Sequence, residues 1–330
     1  MWRETTGFLY MGKGHSQSFK GDHVITIRGT DTLADALTDA NCKATNGYTG
    51  TSVHSGFQTT FASFVGSINA YMNQKTVSES NGIIHCVGHS LGGSLATLVA
   101  DYIKSEYGRT VYLYTFGAPR PGKNDFSIHA GARIDKVFRC VHGADPVPKV
   151  PVWPFCHIVT KEPEYVPYRA QGVDPGAHSL LHSPGYTKTV TASDWENIYS
   201  QVPSSLYRRV ILNYNNRLET TYSTHWADKI AAALMTVMID GGFTGIVAAA
   251  QYSAVGIMSV YDIMAEALVK ITDKIGYGEQ VRGLLGCMIA FAGKVISVPL
   301  KPTAAFIKMV FNICIGRLLS SARDAMKRNA

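Results

Sequence analysis

Charge is scarce in this chain of 330 residues: Asp, Glu, Lys and Arg make up 17% of it, against 46% apolar residues. That balance excludes a disordered polymer, and the length suffices to bury a large core without covalent staples. Cysteine is sparse. Cys42, Cys86, Cys140, Cys156, Cys287 and Cys314 form no C-x-x-C pair, which excludes a disulfide scaffold, a zinc ribbon or a redox motif and fits synthesis in a reducing compartment. Met1–Phe8 lacks the basic stretch and apolar core of a secretory leader, so the expectation is a protein made in the cytoplasm without a Sec signal. The basic surplus is modest, 31 Lys and Arg over 24 Asp and Glu, a net charge of +7. No RNP, helix-turn-helix or basic-region pattern accompanies it, so nucleic acid is not the expected partner; an anionic membrane surface is.

What is present changes character near residue 200. Before it, β-branched and apolar runs at Val24–Ile27, Ile83–Val87, Val111–Phe116 and Val137–Val141 alternate with helical stretches at Phe57–Met72 and Leu91–Tyr107. Strands alternating with helices predict an α/β fold, a mostly parallel sheet flanked by helices. After residue 200 the strand signals stop. Four helical stretches are expected at 226–239, 244–271, 279–297 and 303–327, punctuated by Gly241-Gly242, Gly276, Gly278, Pro299 and Pro302. The expected division is therefore 1–200 and 201–330, an α/β unit followed by a hydrophobic all-α extension.

Residues 83–93 read as a buried strand running into Gly88-His89-Ser90-Leu91-Gly92 and then into a helix. In a G-x-S-x-G turn of this kind the sharp strand-to-helix reversal exposes the serine at the carboxyl edge of the sheet, and the flanking glycines let backbones crowd there. The helix that follows presents free N–H groups to charge developing on a substrate carbonyl oxygen. His85 and His89 flank Cys86, but local packing is the expected role of both and no metal is implied.

Gly88-His89-Ser90-Leu91-Gly92-Gly93 resembles the nucleophile elbow of the class 3 (fungal-type) lipases, a branch of the α/β-hydrolase fold. Four more segments resemble that family in the right order: Ile27-Arg28-Gly29-Thr30, Val53-His54-Ser55-Gly56-Phe57, Tyr114 to Arg120, and Arg139 to Pro148. The resemblance spans roughly residues 5–190. It implies a serine ester hydrolase acting on lipids, of phospholipase A or glycerolipid lipase type, with no cofactor.

The hydrolase order places acid and base after the nucleophile. Asp145, on a proline-rich loop after a strand, is the expected acid; Asp125 and Asp135 compete from segments that read as solvated helix and turn. For the base, His178 and His182 both fall in Gly176–Tyr186, and His182 with Tyr186 suits the family's spacing better. His157 is expected to pack or bond a loop. The expected oxyanion donors are the N–H of Leu91 and, by resemblance, Thr30. Leu33, Ala36, Leu37 and Ala40 then mark a short amphipathic helix, which corresponds in the family to a mobile lid over the acyl groove.

Beyond residue 200 the resemblance gives no help. From Gly241 to Tyr261 the chain carries no charge, long enough to cross a bilayer core, yet its Gly and Ala content and its helical spacing fit a buried bundle equally well. A hydrolase with such an extension resembles lipase effectors that bacteria deliver by type VI secretion. That resemblance implies export by a non-Sec route to a target-cell membrane or periplasm, an immunity protein and a secretion-apparatus partner. The competing expectation makes the helices the active part, as a membrane-permeabilising or partner-binding module.

Overall fold

A computed structural model describes residues 8–28, 42–203, 207–252 and 256–328. Its centre is a seven-stranded sheet in the order β1 (Phe8–Lys13), β2 (His23–Arg28), β5 (Ile84–His89), β6 (Val111–Phe116), β7 (Lys136–His142), β8 (Glu164–Tyr168) and β9 (Ser200–Gln201). A two-stranded ribbon, β3 (Ala44–Asn46) with β4 (Ser52–His54), lies outside it. Strands β2, β5, β6, β7 and β8 run parallel, and β1 and β9 are antiparallel at the two edges. This is the mostly parallel sheet flanked by helices that the alternating pattern predicts.

The sheet has this form because its strands alternate. In β5 and β6, Ile84, Cys86, Val111 and Leu113 are fully buried while their neighbours are half-buried, the period of two that a pleated strand requires. The buried row lies beneath α3 (Leu91–Tyr107), which is buried continuously from Leu91 to Ile103. Helix α1 (Ser55–Met72) packs on α3 through Phe57, Phe61, Phe64 and Ile68, each such side chain contributing about 1.5–3 kcal/mol by leaving water. Short α2 (Lys75–Ser78) leads back into β5, and α4 (Asn124–Arg133) crosses from β6 to β7.

After α5 (Tyr186–Thr191) and β9, the described regular structure is helical: α6 (Thr224–Asp240), α7 (Thr244–Tyr252), α8 (Ile257–Thr272), α9 (Gly278–Phe291) and α10 (Ala304–Arg328). The uncharged run from Gly241 to Tyr261 is not one helix, because Gly256, which precedes α8, is extended (φ −64°, ψ 159°). Helix α10 is the one described helix long and apolar enough to cross a membrane by length and composition. Its Ile307, Phe311 and Ala322 are fully buried within the protein. Met264 and Leu268 of α8, Leu284 of α9 and Phe311 of α10 belong to the same continuous core cluster as Trp153, Leu95 and Ile25. The helices thus close over the α/β layer and share its core.

Candidate active site

The strand-to-helix turn begins at β5 and reverses within one residue. Ser90 has φ 55° and ψ −133°, the one described non-glycine residue with positive φ. Its N–H donates to Phe116 O (2.9 Å), and its carbonyl accepts Gly93 N–H (2.9 Å). The glycines around it are required by space: a Cβ on Gly88 would lie 2.1 Å from Gly92 O, and one on Gly93 would lie 2.6 Å from the Ala118 Cβ. Strain of this kind persists only where the surroundings over-determine it, typically at functional sites.

The imidazole of His178 stands between Ser90 and Asp145. His178 Nε2 lies 2.7 Å from Ser90 Oγ, and His178 Nδ1 lies 2.8 Å from Asp145 Oδ2. His178 closes a 3-10 turn at Pro175–His178, capped by the Asp174 carboxylate on Gly176 N–H (2.8 Å), and both His178 and Asp145 are buried. His182 is exposed, and its backbone N–H bonds Ser179 Oγ (2.9 Å). The expectation of His182 is therefore corrected to His178: the turn at Pro175 points the first histidine into the protein, whereas the second follows it onto the surface.

Asp145 sits on the loop after β7. Its Oδ1 accepts Val147 N–H (2.9 Å), and its Oδ2 accepts Tyr186 Oη–H (2.8 Å) as well as facing His178. Burial by itself would raise this carboxyl; the adjacent imidazole and the three donors outweigh it and hold Asp145 below the usual carboxylate range. The charged form is thus the one the site keeps. Gly117, at φ 57°, makes room for the arrangement, since a Cβ there would meet Asp145 Oδ2 at 2.7 Å and His178 Nδ1 at 3.0 Å.

A further layer was not foreseen in the sequence. His89 stacks on His178 with ring centroids 4.8 Å apart, and its Nε2–H donates to His178 O (2.8 Å). Burial, with the neighbouring His178, lowers His89 to about 3 and keeps it neutral. His142 stacks on Tyr186 at 3.8 Å, and its own N–H donates to Tyr186 Oη (2.8 Å). Burial likewise lowers His142. The signal available for His89 was its place inside the elbow; nothing in the sequence marked His142.

The other candidates lie elsewhere. Asp125 Oδ2 accepts Ser52 N–H (2.8 Å), and Asp135 pairs with Lys104 (2.8 Å). His157 Nε2 bonds Pro148 O (2.7 Å), the loop role expected of it, and His85 bonds Asp22 and Tyr114. Leu91 is the first residue of α3, where N–H groups have no partner within the helix. Thr30 and the amphipathic stretch Asp31–Ala40 lie outside the described residues.

Residues 24–155 match the family model described as Lipase (class 3). The chain is 31% identical over 144 residues to a secreted mono- and diacylglycerol lipase of Fusarium solani, covering 43% of this chain and 43% of that protein. It is 33% identical over 150 residues to the chloroplastic phospholipase A(1) DAD1 of Arabidopsis thaliana, covering 39% of this chain and 34% of that one. A crystal structure of a mutant of MDLA from Penicillium cyclopium superposes with TM-score 0.47 at 23% identity, covering 62% of this chain and 68% of that one. The chain thus spans less than half the length of the two curated relatives.

Proposed function

We propose, from a chain whose residues 24–155 match the class 3 lipase family model, that it hydrolyses acyl esters of lipids at Ser90. The observation that carries the reading is the continuous path from Ser90 Oγ through the His178 imidazole to Asp145 Oδ2, with links of 2.7 and 2.8 Å. In the proposed reaction Ser90 Oγ attacks the ester carbonyl carbon as its proton passes to His178 Nε2. Asp145 holds Nδ1–H and stabilises the imidazolium. The oxyanion is received by the N–H of Leu91 and, as carried over from the family resemblance, by Thr30. Collapse expels the alcohol, which takes the proton from Nε2; water then attacks the acyl-enzyme with His178 again as base, and the second collapse breaks the bond from Ser90 Oγ to the acyl carbon, releases the fatty acid and returns the Nε2 proton to Oγ. Every proton is accounted for by side chains of this site.

The names of the relatives, a mono- and diacylglycerol lipase and a phospholipase A(1), support glycerolipid or phospholipid acyl esters as the substrate class. Purified protein and its Ser90→Ala variant, incubated with mixed phospholipids and with diacyl- and triacylglycerol, test this by mass spectrometry of products. Lysophospholipid with fatty acid that disappears in the variant makes it a phospholipase A; partial glycerides with fatty acid make it a neutral-lipid lipase. No Ser90-dependent product from either substrate overturns the proposal.

The effector role, with delivery by type VI secretion and an immunity partner, is the finer part of the same proposal, supported by the hydrophobic helical extension and the net charge of +7. Ser90-dependent growth inhibition on directing the protein to a periplasm supports it, and its absence removes it. The permeabilising alternative is disfavoured by the shared core: helices whose apolar faces already pack on the α/β layer have less to offer a bilayer. Vesicle leakage caused by the Ser90→Ala protein would reverse that preference.

A further inference from the structure

Segment Gly143–Lys149, which carries Asp145, buries Ala144 and Val147 but is open along one side. A cavity of about 770 Å³ lies behind it, lined by Gly143, Asp145, Lys149, Thr224 and Asp228 among others. A loop at the edge of a cavity relies on polar ties, besides its packing, to hold a carboxylate in hydrogen-bonding register with an imidazole. Gly143 N–H donates to Tyr168 O, Asp174 N–H donates to Ala144 O and His157 bonds Pro148 O; two further ties, one on each side of Asp145, come from the first turns of α6.

Thr224 and Asp228 are four residues apart, so they share one face of α6. Thr224 Oγ1–H donates to Gly143 O (2.5 Å), just before Asp145. The Asp228 carboxylate pairs with Lys149 Nζ (2.8 Å), just after it, and approaches Arg120 at 3.9 Å. Thr224 N–H also bonds Gly172 O (3.2 Å), and the residue before it, Ser223, caps the helix through Trp226 N–H. The helix is fixed in turn. Tyr222 Oη bonds Arg317 O (3.0 Å) and Ser321 Oγ (2.6 Å) of α10, and α10 lies against the turn Pro175–His178 that carries the imidazole.

From this juxtaposition we infer that Thr224 and Asp228 are positioning residues of the ester-hydrolysing site, a two-point clamp by which the C-terminal helices hold the Asp145 loop against His178. Neither touches the reacting atoms. Their effect passes through the Asp145–His178 hydrogen bond, so the α-helical extension is a working part of the catalytic unit. The inference rests on the hydrolase reading above, yet it has a readout that needs no substrate: the low-field NMR signal of the proton shared by His178 Nδ1 and Asp145 Oδ2.

The test uses the full-length protein with Thr224→Val, Thr224→Ser and Asp228→Asn. Thr224→Val keeps shape and removes one hydrogen bond; Thr224→Ser keeps the hydroxyl and serves as the rescue. Thr224→Val and Asp228→Asn are expected to lower kcat about fivefold to tenfold with KM within about twofold, as loss of one or two hydrogen bonds acting on the transition state would do. The low-field signal should broaden or move in both, and Thr224→Ser should restore both measures. A clamp that is only structural lowers the melting temperature but leaves kcat per folded molecule and the NMR signal at wild-type values; that result overturns the inference. If Asp228→Asn does not fold, the comparison of Thr224→Val with Thr224→Ser decides alone. Failure of the hydrolase reading shows separately, as wild-type protein without Ser90-dependent turnover, while the NMR comparison still reports on the clamp.

Discussion

Tyr186 and His178 meet on a single oxygen: the phenol and the imidazole each lie 2.8 Å from Asp145 Oδ2. Burial, and the carboxylate beside it, push the Tyr186 phenol well above its ordinary range, so it remains a donor at any working pH. One carboxylate oxygen is therefore shared between the imidazole and the first residue of the helix that follows it.

Replacing Tyr186 by Phe removes that donor and leaves the buried His142 N–H, which donates to Tyr186 Oη, without its acceptor. The expected cost is about 1–3 kcal/mol of stability by urea denaturation. A carboxylate with one donor fewer is also less firmly held in register with His178, so kcat per folded molecule should fall about threefold. An unchanged kcat in the folded variant would show that the phenol serves the fold alone.

The two histidines separate cleanly. His178→Ala should lower kcat by about four orders of magnitude or more, the scale on which triad members act. His182→Ala, altering an exposed side chain, should stay within about twofold on any substrate that wild type turns over. Ester hydrolysis assays on both variants check this, and the reverse pattern would refute the His178 geometry.

Strain at Ser90 gives a prediction with opposite signs for stability and activity. At φ 55° a serine costs energy that a glycine does not. Ser90→Gly should raise unfolding free energy by about 1 kcal/mol relative to Ser90→Ala, while both abolish turnover. Paired denaturation curves decide it; equal stability would mean that the turn is relaxed.

Acid sensitivity should come from buried neutral histidines. His54, whose Nδ1 caps α1 on Gly56 N–H (3.2 Å), is lowered by burial to about 4. The unfolded chain binds the proton first, so this stability is complete above about pH 6.5 and is lost as pH falls towards 4. Between pH 7 and pH 5 the loss is about 2 kcal/mol. His54→Asn keeps a capping oxygen and should flatten the slope by that amount, as read from denaturation midpoints at the two pH values.

The sequence by itself determined the sheet and the strand-to-helix turn at Ser90. Alternation in Ile84–His89 and Val111–Phe116 and the run Gly88–Gly93 are local properties, set by pleat geometry and by backbone conformations that few residues can adopt. Asp145 was legible because a proline-rich loop after a strand is also a local feature. Tertiary structure alone decided between His178 and His182, since two histidines on one loop have the same chemistry and differ only in which is turned inward by the capped turn at Pro175. It also decided the fate of the uncharged run Gly241–Tyr261. Hydropathy measures how much apolar surface a segment carries and says nothing of what will cover it; here the α/β layer and the neighbouring helices do. The approach of Thr224 and Asp228 to the Asp145 loop joins positions about eighty residues apart, a distance over which sequence pattern carries no signal and only packing does.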